Sequence, residues 1–274
     1  VAKAAKIEGF EMGKSLPKKI GRSPLIASTA EIRFREEIPP AILLGRFYGA
    51  LGERYAQLDV LPSAHIPPEL AKQNPQFAYV PHHRLKGPDS RYTIQMGPRV
   101  LTFSAEPHLL VDDLSGEWLK ILQIAEELDL LVKADRIGLR YINLFEGRET
   151  IASELDLTLI VGGELLTPHL SNLRVEIPRG RFRVGTVLGM NATVQKQRGD
   201  SALNPVFSSS DTEIEKHVGC LLDLDVFTQE PPCSEKEKRA ERFSEYFLEA
   251  HTLAKETFFG ILKDDIIRQL DPEY

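Results

Sequence analysis

The run RIGLRYINLFEG, residues 136–147, constrains the fold more than any other stretch of the chain. Its apolar residues alternate with the period of a β-strand. Alternation puts Ile137, Leu139 and Tyr141 on one face, and Gly138, Arg140, Ile142 and Leu144 on the other. Arg136, Arg140 and Asn143 interrupt an otherwise apolar strand, and Arg140 shares its face with small or apolar residues. An arginine in that position needs a carboxylate or an anionic ligand, because an unpaired buried charge is very costly. Asp223 and Asp225 in LLDLDVF are the best internal partners, since they share one strand face opposite Leu222, Leu224 and Val226. Glu31 and Glu176 are further acids within reach of such a sheet. Two expectations follow. In the favoured one, Arg140 forms a sheet-face ion pair that fixes strand register. In the other, Arg140 with Arg33, Arg181 or Arg183 lines a concave face that binds an anion or a protein, with Asn143, Asp223 and Asp225 at the same site.

The rest of the chain supplies the elements around this strand. TAEIRFR (29–35) alternates, with Ile32 and Phe34 opposed to Glu31, Arg33 and Arg35, and reads as a half-buried strand. After Pro39-Pro40, Leu43, Phe47 and Leu51 form a helical stripe weakened by Gly45, Gly49 and Gly52. Residues 56–90 hold Pro62, Pro67, Pro68, Pro75, Pro81 and Pro88, and read as a long irregular excursion. RYTIQMGPRVLTFSAE reads as a hairpin turning at Gly97-Pro98. SGEWLKILQIAEELDLL places Trp118, Ile121, Leu122 and Ala125 on one side of a helix. With RIGLRYIN the order is β-α-β-β-α-β, that of a ferredoxin-like unit.

Residues 151–274 read as α-β-β-β-α. Ser153 and Asp156 have capping-box spacing ahead of a helix over LTLIVGGELL, which the glycine pair weakens. LRVEIPRGRFRVG, VLGMNATVQKQ and GCLLDLDVF read as three strands. Ser234 and Glu237 form a capping box opening one long helix to about Gln269, with Phe243, Phe247, Ala250, Ala254, Phe258 and Ile261 as its stripe. The expected fold is α+β, with two α/β halves (23–150 and 151–274) and a mainly antiparallel sheet. The halves either share one continuous sheet or adopt a helix-grip layout, with the C-terminal helix across a curved sheet. Residues 1–22 are expected to be a basic, flexible leader. They carry six Lys/Arg against Glu8 and Glu11, a balance of +4 in a chain of net charge −6.

SPLIASTAEIRF, IQMGPRVLTFS and RIGLRYIN together resemble a sporadically distributed, uncharacterised family of bacterial and archaeal proteins marked by an RxGLRYIN motif. The resemblance spans most of residues 23–270, RIGLRYIN being its specific part; Met96, Arg99 and the basic leader depart from it. It implies no established activity and carries over no catalytic residues. Patchy distribution fits accessory genes, including mobile-element or defence settings.

The search for chemistry excludes more than it offers. There is no phosphate loop, HExxH, GxSxG or GxGxxG. Ser15-Leu-Pro-Lys18 matches S-x-x-K only within the leader. His82-His83, beside Asp89, reads as structural, because two adjacent histidines rarely converge on one ion. His251 reads as a core-edge histidine with a hydrogen-bond partner, and Cys220 as a buried, inert thiol. No cofactor, metal or catalytic residue is expected. No apolar run reaches the ~18 residues that a membrane helix needs, and two cysteines suit a cytoplasmic protein. The leading expectation is a non-enzymatic interaction or regulatory protein with an unknown protein partner. The alternatives are an enzyme or sensor for a small anionic ligand or nucleotide on the arginine face, and an accessory nucleic-acid-binding protein.

Overall fold

A computed structural model of the protein describes residues 16–35, 37–87, 91–105, 111–147, 155, 159–161, 164–166, 172–197, 214–229 and 238–274. In chain order the first elements are β1 (Lys19–Ile20), β2 (Leu25–Phe34), α1 (Pro40–Leu51), β3 (Gln57–Val60), α2 (Pro68–Gln73) and β4 (His83–Lys86). Then come β5 (Tyr92–Gly97), β6 (Val100–Ala105), α3 (Val111–Glu127) and β7 (Ala134–Glu146). The second half holds β8 (Leu159–Val161), β9 (Glu164–Leu166), β10 (Asn172–Arg179), β11 (Phe182–Gln197) and β12 (Ile214–Thr228). It ends with α4 (Arg239–Ile261), α5 (Asp264–Gln269) and β13 (Pro272–Glu273).

Nine strands form one sheet in the order β10-β11-β12-β7-β2-β6-β5-β4-β3, with every neighbouring pair antiparallel. The fold is therefore α+β, and strands of both halves hydrogen-bond within the same sheet. β7, the RIGLRYIN strand, is the junction. It pairs with β2 on one side and β12 on the other.

One face of this sheet is dry. Ile32, Phe34, Ile94, Phe103 and Leu139 meet Leu43 and Phe47 of α1, Trp118, Ile121, Leu122 and Ala125 of α3, and Phe243, Phe247, Ala250 and Ala254 of α4. Phe103, Trp118 and Phe247 run in ring contact from sheet to α4. A second cluster continues under the far half of α4, where Phe145, Leu188, Cys220, Leu222 and Leu224 pack on Phe258, Leu262, Ile266 and Leu270. Fully burying each large apolar side chain contributes roughly 1.5–3 kcal/mol, so this face supplies most of the driving force. The other face is polar, and among the described residues no helix packs over its centre.

Several expectations need correction. The leader's described end is pinned: Lys19 and Ile20 pair with Glu273 and Pro272, and Leu16 and Ile20 pack on the second cluster. Apolar Leu16 and Ile20, sparse as they are, find a partner in the C-terminus; residues 1–15 lie outside the described residues. The 56–90 excursion contains two sheet strands, β3 and β4, because Leu58, Val60 and Leu85 alternate with Asp59 and Arg84. Its prolines open short helical turns at Pro62, Pro68 and Pro75, where a missing N–H costs nothing.

LTLIVGGELL holds the paired strands β8 and β9 rather than a helix; Ile160 and Val161 are β-branched, and a Gly-Gly step is a hairpin signal. LRVEIPRGRFRVG is not one strand. It turns between Arg179 and Phe182, where Gly180 takes φ 59, and its second part runs on into VLGMNATVQKQ. The last helix is two helices. Leu262 is extended and bridges Leu155, which redirects the chain so that Ile266 and Leu270 reach the core. The Ser234–Glu237 capping box lies outside the described residues. Glu126 of α3 does that capping work, accepting hydrogen bonds from the backbone N–H of Arg239 (2.8 Å) and Ala240 (3.4 Å).

Candidate functional site

Strand registers stack the polar residues of the open face in rows. One row runs Gly185, Asp225, Arg140, Thr29, Ser104 and Thr93 across β11, β12, β7, β2, β6 and β5. The next runs Phe227, Gly138, Glu31, Thr102, Gln95, Arg84 and Asp59. Beyond it Arg136 stands directly opposite Arg33. Like charges opposite one another in a sheet repel, so this pair needs an anion between them. Glu31 supplies it: its Oε1 accepts from Arg33 Nε at 2.7 Å and from Arg136 Nη1.

Arg136 then explains Gly138. The guanidinium lies forward along its own strand, over Gly138, with Nη2 donating to Asp225 Oδ2 at 2.7 Å and its Cζ 4.4 Å from the centre of the Phe227 ring. A Cβ on Gly138 would sit 2.8 Å from Arg136 Nη1. The first three residues of RIGLR are thus one device, an arginine and the gap that lets it bridge two carboxylates. Burial holds the Asp225 carboxyl above its usual range; Arg136 opposes that shift and Glu31 adds to it.

Arg140 is paired as the favoured expectation had it. Its Nε and Nη2 donate to Asp223 Oδ1 and Oδ2 at 2.8 and 2.6 Å, a bidentate bridge between β7 and β12. The hydrogen bonds to Asp223 push its pKa up, against the effect of burial. Asp223 is buried, whereas Arg140 keeps 52% of its side chain exposed. The bridge uses one edge of the guanidinium. Among the described residues Nη1 makes no hydrogen bond.

These groups surround a concavity of about 220 Å³ lined by Thr29, Glu31, Arg33, Gln95, Thr102, Ser104, Arg136, Gly138, Arg140, Asp225 and Pro81, with Ala27 and Ile142. Its floor is small side chains; its rim is charged. Pro81 comes from the connection between β3 and β4, which folds over the sheet here. His82 N–H donates to Met96 O at 2.8 Å, and the Tyr79 ring lies between Arg33 (4.7 Å) and Arg99 (5.1 Å). Thr29 and Ser104 hydroxyls bond each other at 2.9 Å. The Thr102 hydroxyl and Gln95 amide make no hydrogen bond among the described residues.

Of the residues singled out in the sequence, the structure brings Arg33, Arg140 and Asp225 to the concavity, with Asp223 behind Arg140. Asn143 is elsewhere. It lies on the helix-facing side, buried, and donates to Leu222 O at 3.2 Å. Arg181 sits in the β10–β11 turn, 3.9 Å from the Tyr246 ring centre and paired with Glu249, both on α4. Arg183 is on the polar face but at the next strand, paired with Glu176 at 2.7 Å. Thr29, Gln95, Thr102, Ser104 and the Arg136–Gly138 device were not singled out as site residues. Their signal was present: Thr102 and Ser104 alternate with buried Leu101 and Phe103, so VLTFSA has a polar side.

His251 accepts or donates at Nδ1 to the Tyr141 hydroxyl, 2.7 Å away, on the helix side. Burial raises Tyr141 and lowers His82 and His83. Among the described residues no cluster of three His, Cys, Asp or Glu could hold a metal, and no helix is long and apolar enough to cross a membrane. No protein-family model matches the chain, and no curated protein matches it.

Proposed function

We propose that the chain is a non-enzymatic interaction or regulatory protein that recognises its partner on the polar face of the nine-stranded sheet. The observation that carries this reading is the internal neutralisation of that face. Arg33 and Arg136 share Glu31, Arg136 reaches Asp225, and Arg140 holds Asp223. A face built this way keeps many hydrogen-bonding groups while cancelling most of its net field. That suits a partner read by hydrogen bonds and shape, and it disfavours broad attraction to nucleic-acid phosphates. The wall from the β3–β4 connection adds the loop contribution typical of binding surfaces. With β3, α2 and β4 as an insertion, the order β2-α1-β5-β6-α3-β7 and the adjacency β7-β2-β6-β5 support a ferredoxin-like first half. The resemblance of RIGLRYIN to a patchily distributed family supports an accessory bacterial role, and the buried Cys220 fits a cytoplasmic one. A second reading, an anion or nucleotide sensor, is favoured by the open Nη1 edge of Arg140.

The test is affinity capture with the full chain as bait, comparing wild type with Thr102→Trp, which fills the concavity. A partner retained by wild type and lost from the folded variant is expected. Equal capture by both overturns the assignment. Thermal protection by phosphate or ATP, lost in Arg140→Leu, would establish the second reading instead.

A further inference from the structure

The concavity's charges are arranged in a way that narrows its ligand. Arg140 and Asp225 are direct cross-strand partners, so their Cβ atoms stand about 5 Å apart. Each has an edge to spare. Arg140 spends Nε and Nη2 on Asp223, which leaves Nη1; Asp225 spends Oδ2 on Arg136, which leaves Oδ1. A cationic donor and a carboxylate acceptor therefore lie side by side above a floor of small residues. We propose that this concavity binds a free α-amino acid with a polar side chain, its carboxylate on Arg140 and its ammonium on Asp225.

Charge argues for a zwitterion over either ion alone. An anion would meet Asp225 and Glu31; a cation would meet Arg33, Arg136 and Arg140. Only a ligand carrying both charges on neighbouring atoms satisfies the pair. Size agrees. At about 220 Å³ the space falls below the roughly 300–1,000 Å³ of pockets for drug-sized ligands. The floor sets the side-chain preference. Thr102, only 7% exposed, turns a hydroxyl without a partner among the described residues toward this space, and Gln95 adds an amide in the same condition. Neutral donor-acceptor groups match a hydroxyl or carboxamide. The elevated Asp225 carboxyl is consistent, since burial and Glu31 both oppose its charge and a ligand ammonium would restore it.

This deepens the recognition reading above and rests on it, the amino acid being the small ligand that the partner surface senses. Its test is isothermal titration and thermal unfolding of the full chain with each common free α-amino acid. The N-acetyl and amide forms of any binder, inorganic phosphate and ATP are added in parallel. Serine, threonine, asparagine or glutamine is expected to bind saturably, with N-acetylation or amidation weakening it by about tenfold or more. Thr102→Val, which keeps the shape of the floor, and Asp225→Asn are both expected to weaken it as well. The proposal is overturned if no free amino acid binds, if the blocked forms bind equally, if phosphate alone protects, or if both variants bind like wild type. Capture of a partner at this face without amino-acid binding would sink this proposal and leave the recognition reading standing.

Discussion

Gly138→Ala is the substitution with the most to say about the RIGLR device. The new Cβ would stand 2.8 Å from Arg136 Nη1, 3.2 Å from its Cζ and 3.2 Å from Phe227 Cβ. A free arginine tip would move aside at little cost. This one is held by Glu31, by Asp225 and by the Phe227 ring, so it either strains in place or releases a carboxylate. Overpacking costs about 1–3 kcal/mol. Against that, alanine in place of a strand glycine returns about 0.5–1 kcal/mol. The net expectation is a loss of up to about 2.5 kcal/mol, centred on about 1 kcal/mol, or roughly 2–4 °C in melting temperature at that centre. Urea denaturation of Gly138→Ala, Arg136→Leu and the double variant reads it. Alanine should cost much less in the Arg136→Leu background, because the atom it strikes is gone. A Gly138→Ala protein as stable as wild type, or additive losses in the double variant, would show that Arg136 is not confined over residue 138.

Three further outcomes are expected. Arg140→Leu should cost about 3 kcal/mol by stranding the buried Asp223 carboxylate, whereas Asp223→Leu leaves a half-exposed guanidinium that water screens and should cost about 1 kcal/mol, with the double variant recovering part of the larger loss; independent effects on chemical denaturation would contradict the bridge. Deleting residues 1–22 should lower stability by about 2–4 kcal/mol, since Leu16 and Ile20 leave the second cluster and the carbonyls of Glu273, Asp271 and Leu270 lose the N–H donors of Lys18, Gly21 and Arg22. An unchanged melting temperature would show that the clasp contributes nothing. The two carboxyls Asp59 and Asp225 should respond to acid with opposite signs. Arg84 overcomes burial and depresses Asp59, so its contribution is present above 3.8 and lost as pH falls below it. Asp225 is raised, so its folded state holds the proton more tightly, and its contribution is present below 3.8 and lost as pH rises above it. Denaturation across pH should therefore show wild type losing its advantage over Asp59→Asn on acidification and gaining on Asp225→Asn; the same slope for both would refute the assignment.

Periodicity made the core elements readable. Trp118, Ile121, Leu122 and Ala125 of α3, the hairpin at Gly97-Pro98 and the two faces of β7 lie where alternation and helical stripes put them. The Arg140 bridge was legible for the same reason: parity on two strands aligns a cation with acids, and the buried Asp223 carboxylate needs that countercharge. What sequence could not convey is register and long-range closure. Asn143 was grouped with Arg140 although a three-residue separation puts the two on opposite faces of one strand, which parity alone could have told. Arg181 was drawn away by α4, a contact that no local pattern encodes. Proline density hid β3 and β4, because prolines confined to the turns between strands leave the strands themselves intact. The clasp between β1 and β13 joins chain ends whose pairing has no short-range signal at all.

Photocrosslinking tests the polar face most directly. A benzophenone amino acid replaces Gln95, on the floor row of that face, or Leu248, exposed on α4 at 43%, and living cells expressing either full chain are irradiated. The expected result is a discrete covalent adduct from position 95 and none from position 248, with the adduct at 95 abolished by Thr102→Trp. An adduct at 248 alone, or one at 95 that persists with the concavity filled, would contradict recognition at the polar face.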